Sequence, residues 1–248
     1  MRLWLPVVVL VGCGIDDDLP TTERDVAVVA DLLDAIEPAR VVGLVLDPEG
    51  ALELDGIACQ IQSTDPTERM WVGPCILDDG AVLDGTLSMR PTHDGLLLSA
   101  DGLIITQGAQ TEVVLSGAVE LTRRDDLMQL DVAIQGCGAV GPSCDRLADN
   151  ELFGINLDYT IYPADTFPSI YSATVSGAVG RTETIVGVEA AWQVDRHACA
   201  HEAVEGTVAF GTFPRQTLDL DGHIACDGCV GWRVQGVEVP ALCEVDGF

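Results

Sequence analysis

The feature that most constrains this chain is a short pattern, apolar-x-Gly-x-apolar, of which seven copies begin with an aliphatic residue and carry Asp, Ser or Glu before the glycine. The copies in the first half are Leu54-x-Gly56-x-Ala58, Leu83-x-Gly85-x-Leu87, Ala100-x-Gly102-x-Ile104 and Leu115-x-Gly117-x-Val119. Val175-x-Gly177-x-Val179, Val204-x-Gly206-x-Val208 and Leu220-x-Gly222-x-Ile224 complete the set. Side chains two apart on a strand share a face, so each glycine has the phase of its apolar neighbours and is expected on the buried face. The interleaved residues are polar, among them Asp84, Thr86, Ser116, Glu205, Asp219 and Asp221. Such alternation belongs to antiparallel sheets with one wet face. A buried-face glycine lets a strand bend or another element approach closely. The expected fold is therefore all-β: a large curved antiparallel sheet (meander, half-barrel or sandwich-like) with something in its concave side.

One helix is expected to fill that space. Thr22 can cap it, and Glu23 and Asp25 suit its positive first turn. Val26, Val29, Leu32, Leu33 and Ile36 then form one apolar stripe at helical spacing, and Pro38 ends it, which predicts a helix over 22–38. Beyond Arg40 nearly everything alternates at period two. About twelve strands fit a single domain over 21–248. A bound apolar ligand, in a cavity lined by Leu83, Leu115 and Val208, is the alternative occupant of the sheet, and bending with no occupant is a third.

Some segments repeat. Ser116-Gly-Ala-Val119 returns as Ser176-Gly-Ala-Val179, and Asp131-Val-Ala-Ile-Gln135 is echoed by Glu189-Ala-Ala-Trp-Gln193. Leu52-Glu-Leu-Asp-Gly-Ile-Ala-Cys59 has a counterpart in Leu218 to Cys226. The copies are not in tandem order, which indicates a shared hairpin grammar rather than a duplicated domain. The stretch from Cys137 to Asn150, rich in Gly, Cys and Asp, reads as a disulfide-pinned loop.

The first residues are of another kind. Arg2 precedes an apolar run from Leu3 to Val11, followed by Gly12 and Cys13. Charge, apolar core, small residue and processing point is the order of a secretion signal. The run is too short to span a bilayer as a helix, which needs about 20 residues. Leu10-Val11-Gly12-Cys13 resembles the lipobox of bacterial lipoproteins. The resemblance implies cleavage before Cys13, acyl chains on Cys13, and a membrane-held protein whose residues 13–20 are an acidic tether. In that family an Asp after the cysteine retains the protein at the inner membrane. Gly14 stands there instead, with Asp16 to Asp18 following, so the outer membrane, facing the periplasm or the surface, is the expected address.

Removing Cys13 from nine cysteines leaves eight: Cys59, Cys75, Cys137, Cys144, Cys199, Cys226, Cys229 and Cys243. An even number in an exported chain reads as four disulfides. Proximity favours Cys59–Cys75 and Cys137–Cys144, with the last four pairing among themselves.

Forty acidic residues face twelve basic ones, all arginine, for a net charge of −28. That balance argues against nucleic-acid partners and against an electrostatic membrane patch, both of which need clustered cations. No Asp-x-Asp-x-Asp-Gly loop of the calcium-binding kind is present. His197-Ala-Cys199-Ala-His201 would put three soft ligands on one face of a strand, near Cys226-x-x-Cys229, so a zinc or copper site at His197, Cys199 and His201 is a minor alternative. In an oxidising compartment those thiols should be bridged. As a redox pair, Cys226-x-x-Cys229 lacks the helix N-terminus that lowers a thiol pKa and carries Asp227, which raises it. Gly-x-Ser-x-Gly and the phosphate loop Gly-x-x-x-x-Gly-Lys are both missing, and Trp71, Trp192 and Trp232 are too scattered for a sugar platform. No catalytic residues and no cofactor are expected. The expected role is non-catalytic, binding or structural, at the cell envelope, with an apolar-ligand carrier and a metal module as alternatives.

Overall fold

The computed structural model describes residues 33, 35–54, 59–62, 65, 67–139, 142–146, 152–181, 184–199, 203–211, 216–220, 229–234 and 236–243. The signal segment 1–12, Cys13, the tether 13–20, Asp221, His201, Cys226 and most of the 22–38 stretch lie outside these residues.

Fourteen strands form one antiparallel, unclosed sheet. The first is β1 (Gln60–Gln62), then β2 (Arg69–Val72), β3 (Cys75–Ile76), β4 (Val82–Pro91) and β5 (Gly95–Gln107). The middle is β6 (Gln110–Arg124), β7 (Leu127–Cys137), β8 (Phe153–Tyr162), β9 (Ile170–Arg181) and β10 (Thr184–Asp195). The last are β11 (Glu205–Phe210), β12 (Gln216–Asp219), β13 (Cys229–Val234) and β14 (Val237–Cys243). Each strand pairs with the next in sequence, except that β2 and the two-residue β3 both pair with β4, so the topology is a meander. The all-β, disulfide-stapled expectation holds, with more strands than the dozen anticipated.

Strict alternation is clearest in β7, where Met128, Leu130, Val132 and Ile134 are buried and Gln129, Asp131, Ala133 and Gln135 are exposed. One face of the sheet carries the whole core. Trp71, Trp192 and Trp232 belong to it, each at most 3% exposed.

The core is closed from the other side by helical residues. Leu33, Ala35 and Ile36 are helical and 0% exposed, and the buried Tyr159 of β8 donates its hydroxyl to the Ala35 carbonyl at 3.5 Å. A helix in the inner face was the first expectation, and these three residues fulfil the described part of it. Its end comes at Glu37 rather than at Pro38, because a residue before proline is driven out of the helical region; Glu37 has φ −67° and ψ 116°.

Two helices then follow where strand-like alternation was expected. Pro38 opens α1 (Pro38–Leu46) at a position where its missing N–H costs nothing, and α2 (Pro48–Ala51) begins the same way. Asp47 joins them, its carboxylate accepting from the Gly50 amide at 3.2 Å. Val41, Val42, Leu44 and Val45 of α1 are buried in the same core, and α1 lies against β5 and β6. The reading that period-two alternation begins at Arg40 is thus corrected: residues 41–46 are an almost continuous apolar run with no period of its own, and the prolines decide it.

The motif glycines also depart from expectation. Gly102, Gly117 and Gly177 are exposed rather than buried, and Gly85 and Gly206 are half-buried. Gly56 and Gly222 lie outside the described residues. Gly85 and Gly102 sit where β4 and β5 shift register, which breaks the period-two count on which the expectation rested. Gly117 (φ 116°) keeps register with β7, although β5 shifts register beside it, and Gly177 (φ 142°) keeps register with β8 and β10; both adopt a backbone closed to L-residues. A Cβ on Gly117 would lie 2.2 Å from the Ala133 carbonyl oxygen of β7, and one on Gly177 2.1 Å from that of Asn156 on β8. Their missing side chains would point along the sheet into the neighbouring strand, not into the core. The two Ser-Gly-Ala-Val copies therefore do the same job against different neighbours, and their registers differ. Ser116 faces Gln135, whereas Ser176 faces Glu189 and Gln193 faces Ser172. This supports a shared grammar over a duplication. The Leu52–Cys59 copy fails as a strand: Leu52 and Glu53 form a turn after α2, while Leu218 and Asp219 are in β12.

Candidate functional site

Two of the expected disulfides are present, Cys59–Cys75 and Cys137–Cys144, closing separations of 16 and 7 residues. The second pins a loop from the end of β7 to a short 3-10 helix at Cys144–Arg146. Cys199 and Cys229 are also disulfide-bonded, and Cys229 stands opposite Cys243 across β13 and β14.

The disulfide at Cys199 decides the metal alternative, since a bridged sulfur cannot serve as a thiolate ligand. The strand on which three ligands would converge is also not there. Residues 196–198 are a turn after β10, organised by Asp195, whose carboxylate accepts from the His197 amide at 2.9 Å and the Ala198 amide at 3.3 Å. His197 is exposed and Cys199 is 2% exposed, so the two side chains diverge. Among the described residues no group of three His, Cys, Asp or Glu side chains is placed to hold a metal.

The carrier alternative named Leu83, Leu115 and Val208. They are 0%, 2% and 0% exposed and are packed in one core with Leu33, Ile36 and α1. At the seam between helix and sheet a polar cluster is buried beside them. Glu37, 13% exposed at its side chain, pairs with Arg40 at 3.4 Å. Burial first, and the Glu37 charge second, push the Tyr159 phenol well above its usual range. Burial pushes Tyr171 up to about 12, against opposing pulls from Arg196 and a hydrogen bond with Trp192. The Phe167 ring lies 4.7 Å from that of Tyr171. These groups orient the helix on the sheet.

A cleft of about 470 Å³ lies at one end of the strands, between the α1–α2 corner, the turn after β3 and the loop after β7. Leu77, Ala81 and Ile105 floor it, and Arg40, Glu53, Asp79 and Glu112 rim it. The loop closed by Cys137–Cys144 contributes Gly138, Ala139 and Ser143 to it.

A second groove, of about 580 Å³, is on the opposite side of the sheet from the core. It is lined by Ser116, Ala133, Gln135, Asn156, Ala178 and Ile185, with glycines between them. The register explains it. Ala118, Ala133, Asn156, Ala178 and Gly187 stand directly opposite one another on β6 to β10, so a lane of short side chains crosses five strands. Beside it runs a second row, Glu120, Asp131, Asp158, Ser176 and Glu189, paired in the same way. Glu120, Asp131 and Asp158 are all exposed, and among the described residues they make no hydrogen bond or ion pair. In the sequence these acids are three among forty, spread along the chain. Only the strand register brings them together, although Glu120 and Asp131, flanking one tight hairpin, were a usable signal.

No protein-family model matches the chain, and no curated protein or solved structure matches it either. No helix among the described residues is long and apolar enough to cross a membrane.

Proposed function

We propose that this protein is a lipid-anchored, exported binding or structural protein of the bacterial cell envelope. Acyl chains on Cys13 hold it to the outer membrane, and residues 13–20 space the β domain from the lipid. The observation that carries the address is the Leu10-Val11-Gly12-Cys13 quartet behind an apolar run. Each buried methylene adds about 0.8 kcal/mol to membrane affinity, so two or more chains anchor a protein firmly. The bridged state of Cys59, Cys75, Cys137, Cys144, Cys199 and Cys229 suits an oxidising compartment. Binding, rather than transport inside the sheet, is favoured by the helical residues that pack the inner face and by the groove open on the outer one.

Intact-mass analysis of protein extracted from membranes tests the anchor. The expected species begins at Cys13 and carries acyl chains, and Cys13→Ser leaves an unprocessed, unacylated chain. A mature protein with Met1 intact, or with Cys13 unmodified, overturns the reading.

A further inference from the structure

The outer face of β6 to β10 is built for a partner of one charge. An antiparallel sheet normally sets opposite charges across strands, because like charges directly opposite destabilise the pairing. Here Glu120 faces Asp131 and Asp131 faces Asp158. Their Cβ atoms are about 4.5–5.5 Å apart, within mutual repulsion. Among the described residues β6 to β10 place no cation in this row; followed outward through the pairing, it first meets Arg90 on β4, beyond Leu97, and Arg233 on β13, beyond Ala209 and Thr217. The chain has no lysine at all.

Alongside this row lies the lane from Ala118 to Gly187, deepened into the 580 Å³ groove over Ala133, Asn156 and Ala178. From β6 to β10 it crosses four strand spacings, about 19 Å, the length of about six extended residues. Its lining is mostly apolar, with Gln135 and Ile185 among the side chains along it. We propose that this groove docks an extended, lysine- or arginine-bearing segment of a partner protein. Its backbone and small side chains lie in the lane, and its cations lie over Glu120, Asp131 and Asp158. This deepens the binding role proposed above by naming the partner's chemistry, and it does not depend on the acyl anchor. A second copy of the chain is disfavoured as occupant, since it would bring a charge of −28 against this row. A divalent cation is disfavoured because the three carboxylates do not converge.

The test uses the full-length protein extracted in a nonionic detergent, with a fluorescein-labelled alternating Lys-Ala peptide of about eight residues as probe. Saturable one-to-one binding is expected, weakening as salt rises. Asp131→Asn with Asp158→Asn should weaken it at least about tenfold, the loss of two close charge pairs, while raising the melting temperature of the free protein. Ala178→Trp and the more exposed Gln135→Trp fill the groove without changing charge and should weaken binding to a similar extent. Thermal melts of each variant report whether it folds.

Several outcomes overturn the proposal. One is equal loss from Asp125→Asn with Asp126→Asn at the β6–β7 turn, which would leave only a diffuse anionic field. Others are binding indifferent to both groove variants, spermidine competing equally well in Ala178→Trp, calcium binding lost in the Asp131/Asp158 variant, or a concentration-dependent dimer abolished by Ala178→Trp. Acyl-anchor analysis is a separate measurement, so failure here leaves the envelope reading standing, and failure there leaves the groove standing.

Discussion

Replacing Gly117 by alanine tests the close-approach role of the motif glycines. The residue has φ 116°, a conformation that costs an L-residue about 1–3 kcal/mol. The added Cβ would also lie 2.2 Å from the Ala133 carbonyl oxygen and 2.9 Å from the Ile134 Cα, both backbone atoms of β7 that no rotamer can move aside. Forcing extra volume into such contact costs a further ~1–3 kcal/mol. The sum is a destabilisation of about 2–6 kcal/mol, a fall in melting temperature of roughly 4–24 °C at the 2–4 °C per kcal/mol of a domain this size. Gly43 supplies the control. It lies inside α1, and a Cβ there meets nothing within 4 Å. Gly43→Ala should therefore stabilise by about 0.5–1 kcal/mol, the usual gain at a helix interior. Urea titrations with the disulfides kept oxidised measure both at unchanged m. A Gly117→Ala protein as stable as the parent would refute the close-approach argument, because the strain and the clash are both read from the same backbone.

Three further outcomes are expected. Ile36→Ala, at 0% exposure, should cost ~2–5 kcal/mol in urea unfolding, whereas Ile185→Ala, at 71%, should stay within about 0.5 kcal/mol; equal effects would remove the helix from the core. Opening Cys59–Cys75 with paired serines should cost about 3 kcal/mol, and opening the shorter Cys137–Cys144 loop about 2.5 kcal/mol, by the loop-entropy relation; a larger loss from the shorter loop would contradict it. Tyr171 holds its proton more tightly folded than unfolded, so its contribution is intact below pH 10 and is lost as pH rises toward 12, at about 1.4 kcal/mol per pH unit. In a Tyr162→Phe background the phenolate absorbance near 295 nm should thus appear together with unfolding by circular dichroism, and an earlier, separate step would show that Tyr159 and Tyr171 are not enclosed.

Legibility differed along the chain for reasons that lie in particular residues. In β7 the side chains alternate without interruption, so period two and burial agree residue by residue. In α1 the run Val41-Val42-Gly43-Leu44-Val45 is apolar on every side. It is buried on most of them, so neither period shows. The informative residue there was Pro38. Its fixed φ stops the preceding helix at Glu37 and pre-organises the next one, two effects of a single ring, of which only the first was drawn from sequence. The glycine motif misled in a different way. Period-two counting places Gly102 inward, but the shift between β4 and β5 inserts residues without partners and turns it outward. Disulfide spacing was legible at Cys59–Cys75 and Cys137–Cys144 because a short separation restricts the geometry. At His197–Cys199 the bridging of Cys199 was legible from the expected compartment, whereas the turn that Asp195 caps was not, because alternation cannot reveal it.

The candidate site was the least legible part, and its invisibility has a physical origin. A groove that runs across strands draws one residue from each, spaced in sequence by whole hairpins: Ser116, Ala133, Asn156, Ala178. No local window contains two of them at the same time except across the β6–β7 turn. The register that aligns them is set elsewhere, by the buried partners Val119↔Val132 and Ile155↔Val179 on the other face, since a one-residue slip would turn every core side chain to solvent. The core therefore fixes the groove. This gives the acidic row its meaning as well. Glu120, Asp131 and Asp158 could each stand one position away only by unburying Val119, Val132 and Leu157, so the repulsion among them is held in place by apolar burial. In the docking proposed above, relief comes from cations that arrive with a partner, and the lane beside the acids sets the shape that partner presents.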